Sequence, residues 1–171
     1  SELNPQQSVV GEIGLISENN RSEYSEIVLF KSKTTSEIIP FEIENEPGRS
    51  YFKNAGSTTR EGLELSLRKN ITQNLNLQFI HTFTNYRFAN FNSNGNVLNG
   101  NYFPAIPRYF GKLNFLNELN RNTEFDLEIY YAGKVFLDDN NTSSTSNYML
   151  SSLYVTRKLI LFDRHATIFC Y

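Results

Sequence analysis

Apolar and polar positions alternate along most of this chain. The clearest case is Leu75–Tyr86, where Leu75, Leu77, Phe79 and Phe83 fall on one side and Asn76, Gln78, Thr82 and Thr84 on the other. Successive side chains of a strand point to opposite faces, so this pattern predicts a sheet with one apolar and one polar face. Arg60–Lys69 repeats it, with Leu63, Leu65 and Leu67 against Glu64, Ser66 and Arg68. So does Thr123–Tyr131, with Phe125, Leu127 and Ile129 against Glu124, Asp126 and Glu128. Further strands are expected at Val9–Ser17, Glu23–Lys33 (apolar on both faces at its middle), Tyr109–Leu119, Tyr148–Leu161 and Ala166–Tyr171. No stretch repeats apolar residues at helical spacing over two turns.

The connections alternate in length. Short turns are expected at Glu18–Ser22, Asn70–Asn74, Asn120–Asn122 and Phe162–His165, and long segments at Thr34–Thr59, Arg87–Arg108 and Ala132–Asn147. Pro40, Pro47 and Gly48 are expected to break the first long segment, and Asn54 and Gly56 to serve a turn with positive φ. Gly62 suits a close backbone approach or a bulge, and Pro104 and Pro107 mark where pairing resumes. Short turns on one side and long loops on the other are the plan of a transmembrane β-barrel. Strands of about 9 to 11 residues are long enough to cross the hydrocarbon at a tilt. The reading is therefore all-β: an antiparallel up-and-down meander of about eight strands, a segment of a transmembrane β-barrel. Lipid is expected to face Leu63, Leu65, Leu67, Leu75, Leu77, Phe79, Phe83, Phe125, Leu127 and Ile129.

Composition narrows the classes. The chain has 171 residues, net charge -2 and 14% aromatic residues. That balance argues against a nucleic-acid partner, which calls for a basic stripe. A single cysteine, Cys170, allows no internal disulfide. The sequence lacks a run of about 20 apolar residues, so a membrane helix is not expected, although a barrel needs none. The first residues, SELNPQQSVV, do not read as a signal peptide.

Four stretches in chain order, LNPQQSVVGEIGL, YFKNAGSTTREGLEL, FPAIPRYFGKLNF and VFLDDNNTSSTSNYMLSSLYV, together resemble the barrel of TonB-dependent outer-membrane receptors. In YFKNAGSTTREGLEL (residues 51–65) an Asn-Ala-Gly turn precedes an Arg-x-Gly-Leu-Glu strand start. LNPQQSVVGEIGL (3–15), FPAIPRYFGKLNF (103–115) and VFLDDNNTSSTSNYMLSSLYV (135–155) resemble further strand starts and a loop of that family. The resemblance implies energy-coupled uptake of an iron chelate or similar nutrient in the outer membrane of a Gram-negative bacterium. It implies as partners outer-membrane lipid, the chelate and a TonB energy-coupling complex that acts through a plug region. Residues 1–171 are expected to be one partial barrel of such a receptor, without plug domain or energy-coupling box.

No enzyme reading has support: a phosphate loop, a nucleophile elbow and paired acid–base carboxylates are all missing from the sequence. No cofactor or metal is expected. Asp138, Asp139, Asn140 and Asn141 lack the glutamate and glycine of a calcium loop, so a solvated outer loop is the simpler reading. His81 and His165 lack partners at ligand spacing and are read as polar-face or turn residues. Tyr86, Phe88, Phe91, Tyr102, Phe103, Tyr109 and Phe110 read mainly as an interfacial aromatic girdle. Ligand contact falls to outer-loop candidates Arg49, Tyr51, Phe52, Phe91, Tyr102 and Phe103. Two other architectures fit the alternation: a small closed eight-stranded barrel with a structural or adhesion role, and a soluble β-sandwich binding module.

Overall fold

A computed structural model describes residues 3–19, 23–41, 49, 51–93, 96–162 and 164–170. Among the described residues ten strands follow one another: β1 (Gln7–Asn19), β2 (Glu23–Phe41), β3 (Tyr51–Asn70), β4 (Leu75–Asn90), β5 (Asn92–Ser93), β6 (Asn96–Val97), β7 (Tyr109–Asn120), β8 (Thr123–Ala132), β9 (Tyr148–Leu161) and β10 (Arg164–Cys170). Eight of them form a single antiparallel sheet in the order β1-β2-β3-β4-β7-β8-β9-β10, and β5 and β6 form a separate small hairpin. The sheet is an open meander: β1 and β10 are its two edges and do not pair with each other. One large sheet with no comparable second sheet among the described residues rules out the sandwich, and the open edges rule out a small closed barrel.

Register fixes which residues share a face. Leu65 lies between Ile27 and His81, and Leu63 between Leu29 and Phe83. The next row on the same face runs through Leu67↔Phe79, Phe79↔Leu113 and Leu113↔Ile129. The ten residues expected to face lipid all lie on this apolar face. Along β4 it runs from Leu75 to Phe83, which at about 3.4 Å per residue and a tilt near 40° spans about 21 Å of the roughly 25 Å apolar band of a membrane barrel. The opposite face carries Glu26, Glu64, Arg68, Gln78, Asn114, Asp126 and Glu128. His81 departs from its expected polar placement. It stands on the apolar face, where Nδ1 meets the Tyr131 hydroxyl and the ring stacks on Phe79 and Tyr131. Those partners satisfy the imidazole where a bare polar group would be costly.

The strands outrun their expected ends on the long-loop side. The β2–β3 ladder continues through Glu37↔Ala55 and Pro40↔Phe52 to Phe41↔Tyr51. Pro40 does not end it, because a proline next to the outer tip of a ladder removes one donor where little pairing remains. Pro47, Gly48, residues 20–22 and Tyr171 lie outside the described residues. Asn54 and Gly56 are ladder residues rather than a turn, and the positive φ of this region belongs to Ser36, at 54°. The Asn54 side chain donates to the Ser36 and Asn4 carbonyls and accepts from the Asn4 amide, tying three segments together. Gly56 is needed for closeness: a Cβ there would lie 1.2 Å from the Asn90 carbonyl oxygen. Gly62 does the same without a bulge, since an added Cβ would meet the Phe30 ring and the Phe83 carbonyl oxygen, each at 2.4 Å. The irregularity in the β3–β4 register falls instead between Ser57 and Thr58.

Candidate functional site: an aromatic cavity at the long-loop end

The polar face ends, on the long-loop side, in a small buried cluster. Thr34, Thr58 and Phe88 form one cross-strand row and Ser32, Arg60 and Tyr86 the next. Thr34 and Thr58 are fully buried and Phe88 nearly so. Arg60 organises the row: its guanidinium donates to Thr34 Oγ1 at 2.9 Å and pairs with Glu37, whose other oxygen accepts from Thr58. Arg60 also lies over the Phe103 ring, 5.2 Å from its centre. The Glu37 carboxylate is thus neutralised and hydrogen-bonded, as a half-buried charge must be.

The β4–β7 loop folds back onto this cluster. Phe88 donates its amide to the Asn101 carbonyl and accepts from the Gly100 amide, and the Phe103 amide donates to the Tyr86 carbonyl. The β5–β6 hairpin caps the turn, and its flank buries Phe91 and Leu98, each 2% exposed. Phe88 packs at a tilt against Phe91 at 4.3 Å and Phe103 at 4.7 Å between ring centres, and Phe103 meets Tyr86 edge-on. The rings leave a cavity of about 300 Å³ lined by Glu37, Ile39, Phe88, Phe91, Phe103, Pro104 and Asp139. That volume and apolar lining suit a small-molecule group.

Asp139 comes from the β8–β9 loop, which the β4–β7 loop holds in place. Asn101 Nδ2 donates to the Asp139 carbonyl at 2.9 Å, and Tyr102 and Asn141 exchange two bonds through backbone and amide side chain. Tyr102 stacks on Phe136 at 5.8 Å. The run DDNNTS is a self-capped turn: Asp138 accepts the Thr142 and Ser143 amides at 3.0 and 2.7 Å, and Asn141 takes φ of 59°. Those amides hold the Asp138 carboxyl below its usual range. Burial, with the neighbouring Asp138 charge, pushes Asp139 up.

Of the expected contact residues, Phe91 and Phe103 line the cavity together. Tyr102 lies in the same loop but on the other side, under Arg87 and Arg108. Tyr51 and Phe52 sit at the tip of the β2–β3 ladder, and Arg49 is exposed beyond it, all outside the cavity lining. The aromatic girdle reading fails for Phe88, Phe91 and Phe103, which pack on one another, and holds no better for Tyr86 on the polar face. Glu37 and Ile39 escape sequence reasoning because the alternation puts the strand end at Lys33, whereas the ladder runs on to Phe41. The alternation of Ser36–Ile39 is too short to read, and the ladder's continuation shows only in its pairing with Tyr51–Ser57.

Comparison with known proteins agrees with this architecture. The chain matches the family described as TonB dependent receptor-like, beta-barrel over residues 1–165. Its fold is similar to that of the siderophore receptor PiuA from Acinetobacter baumannii (TM-score 0.69, 18% identity, 88% of this chain and 22% of that one). It is similar also to BauA, the ferric preacinetobactin receptor of Acinetobacter baumannii (0.73, 17%, 95% and 24%). A third is FyuA, the ferric yersiniabactin uptake receptor of Yersinia pestis (0.69, 16%, 89% and 22%). The chain therefore spans under a quarter of the length of these receptors. The family is one of receptors and transporters rather than enzymes, and its homologues lie in the outer membrane of Gram-negative bacteria. This chain belongs to the TonB-dependent receptor-like β-barrel family.

Proposed function

We propose that this chain is part of the barrel wall and outer loops of an outer-membrane receptor that imports an iron chelate, and that the cavity around Phe91 and Phe103 contacts the chelate. The observation that carries the reading is the position of this cavity: at the long-loop end of the polar face, where a barrel interior would open to the outside. Its aromatic walls suit the flat organic rim of a chelate, and Arg60, already paired with Glu37, stiffens the wall rather than offering a free charge. Several structural neighbours are named as receptors for a siderophore or a ferric chelate, which supports the substrate class. The Leu and Phe face would meet lipid. Energy would come from a TonB complex acting through a plug elsewhere in the receptor, and residues 1–171 would be one partial barrel domain.

The test is binding and uptake of radio-iron complexes of enterobactin, yersiniabactin and preacinetobactin by cells that carry the full-length receptor. Phe91→Ala and Phe103→Ala should each weaken binding of the transported complex about tenfold, as loss of one buried aromatic contact predicts, with surface level unchanged. Wild-type affinity in both variants would refute the cavity as a contact site. Transport of none of the three, with iron-free nutrients taken up instead, would refute the iron-chelate reading.

A further inference from the structure

The cavity of Phe88, Phe91 and Phe103 offers rings and acceptors but few donors. The Phe88 amide donates to the Asn101 carbonyl, the Phe103 amide to the Tyr86 carbonyl and the Phe91 amide to Asn99 Oδ1 at 2.8 Å. Pro104, also in the lining, has no amide hydrogen. The polar groups behind the wall are engaged as well. Thr58 donates to Glu37, and Arg60 bonds Thr34 and pairs with Glu37. A carboxylate or phenolate entering here would find none of these donors free, and it would face two carboxylates, Glu37 and Asp139.

The charges at the wall do not cancel. Glu37 and Arg60 neutralise each other, and Asp139 is left over. Among the described residues the Asp139 carboxylate has neither an ion-pair partner nor a hydrogen-bond donor. It is half-buried beside the rings, where a lone negative charge is costly. The same wall already holds one cation by the means it would offer another: Arg60 is paired with the Glu37 carboxylate and lies 5.2 Å from the centre of the Phe103 ring. A carboxylate together with aromatic rings offsets an ammonium's loss of water. The volume, about 300 Å³, is at the low end for a small-molecule site and admits a side arm rather than a whole chelate.

We propose that this cavity takes a cationic amine carried on a side arm of the imported chelate, with Asp139 as its counter-ion and the rings of Phe88, Phe91 and Phe103 around its carbon atoms. The inference rests on the reading of the cavity as a chelate contact and names the group that enters it. It also sets a pH dependence. Asp138, next to Asp139, is capped by the Thr142 and Ser143 amides, and Glu37, in the same lining, is held by Arg60. Asp139 is therefore the group that gains a partner on binding. Burial pushes its carboxyl up in the empty cavity, and an ammonium needs it ionised. Amine affinity is thus full above the raised Asp139 value and is lost as pH falls through it.

The test uses the full-length receptor in neutral detergent and three probes of nearly equal size: 2-phenylethylammonium, 2-phenylethanol and phenylacetate. Ligand-observed nuclear magnetic resonance gives their affinities. The amine should bind about tenfold more tightly than the alcohol, as a charge-assisted contact predicts, and phenylacetate should bind weakest. Asp139→Asn should weaken the amine about tenfold and leave the alcohol unchanged. Amine affinity should fall in acid in the wild type and stay flat in Asp139→Asn, over a range in which the amine itself stays charged. Removing this buried charge should firm the loop rather than loosen it, so misfolding does not explain a loss in that variant. Hydrogen exchange over residues 135–147 checks that point. Phenylacetate binding as tightly as the amine, no binding of the amine, or an amine affinity indifferent to Asp139→Asn would overturn the proposal. If Phe91→Ala nonetheless weakens the transported chelate, the cavity remains a chelate contact and only the amine assignment falls. Wild-type chelate affinity in Phe91→Ala and Phe103→Ala would remove the cavity reading itself.

Discussion

Asp138 and Asp139 are adjacent in sequence yet stand in opposite electrostatic settings, and the loop's response to pH follows from that. The Asp138 carboxyl is depressed by the Thr142 and Ser143 amides, so its contribution is present above the ordinary carboxylate range and is lost as pH falls through its depressed value. The Asp139 carboxyl is raised by burial, so the loop is best served by its neutral form. That contribution is full below the ordinary value and is lost as pH rises through the raised one. Hydrogen exchange over residues 135–147 of the full-length receptor separates the two. Asp138→Ala should speed exchange of the Thr142 and Ser143 amides at neutral pH. Asp139→Asn should slow exchange of the loop at neutral pH and change nothing in strong acid. The same behaviour of Asp139→Asn at both pH values would show that burial does not penalise this carboxylate. The sequence shows two aspartates in a polar loop; only the partner loop, through Asn101 and Tyr102, sets Asp139 against the cavity.

Among the elements, β3 makes the sharpest contrast, because neighbouring residues face opposite environments. Leu65 lies between Ile27 and His81 on the apolar face, and Ser66 between Glu26 and Ile80 on the polar one. Leu65→Arg should cost about 2–4 kcal/mol if it sits near mid-membrane, and Ser66→Arg close to nothing. Denaturant titration of the receptor folded into lipid vesicles measures both, and equal costs would reverse the assignment of faces. Strands of this kind are legible from sequence because alternation is local: the lower halves of β3, β4 and β8 begin and face as their Leu and Phe spacing says. What is not legible lies at the long-loop ends. There Thr34, Glu37, Thr58, Arg60 and Phe88 are joined across three strands by burial and hydrogen bonds, and polar residues buried on a barrel's inner side look like any solvated segment. Of the expected contacts, Phe91 and Phe103 could be guessed from aromatic density, whereas Glu37, Ile39 and Asp139 depend on pairings between distant segments.

At the scale of the whole molecule the sheet has an unpaired edge on each side, β1 and β10. Every residue of β1 is exposed, and Val9, Val10, Ile13, Leu15 and Ile16 are all at least 60% so. A strand with unpaired amides and carbonyls and apolar side chains on both faces is a template for another strand. The apolar face adds a second liability, since Leu29, Leu153 and Ile168 lie open where water would meet them. Neither feature is tolerable in water, and both are resolved at once if further strands complete a barrel and lipid covers its outside. Light scattering on residues 1–171 alone is therefore decisive. Without detergent the chain should form assemblies well above one chain mass. In detergent it should disperse, and adding the flanking receptor strands on both sides should give a single species with heat-modifiable migration. A stable detergent-free monomer would mean that the Leu and Phe face is covered from within the chain, which would undo the lipid-facing assignment. The cavity of Phe88, Phe91 and Phe103 would survive that result, because its packing depends only on β2 to β4 and two loops.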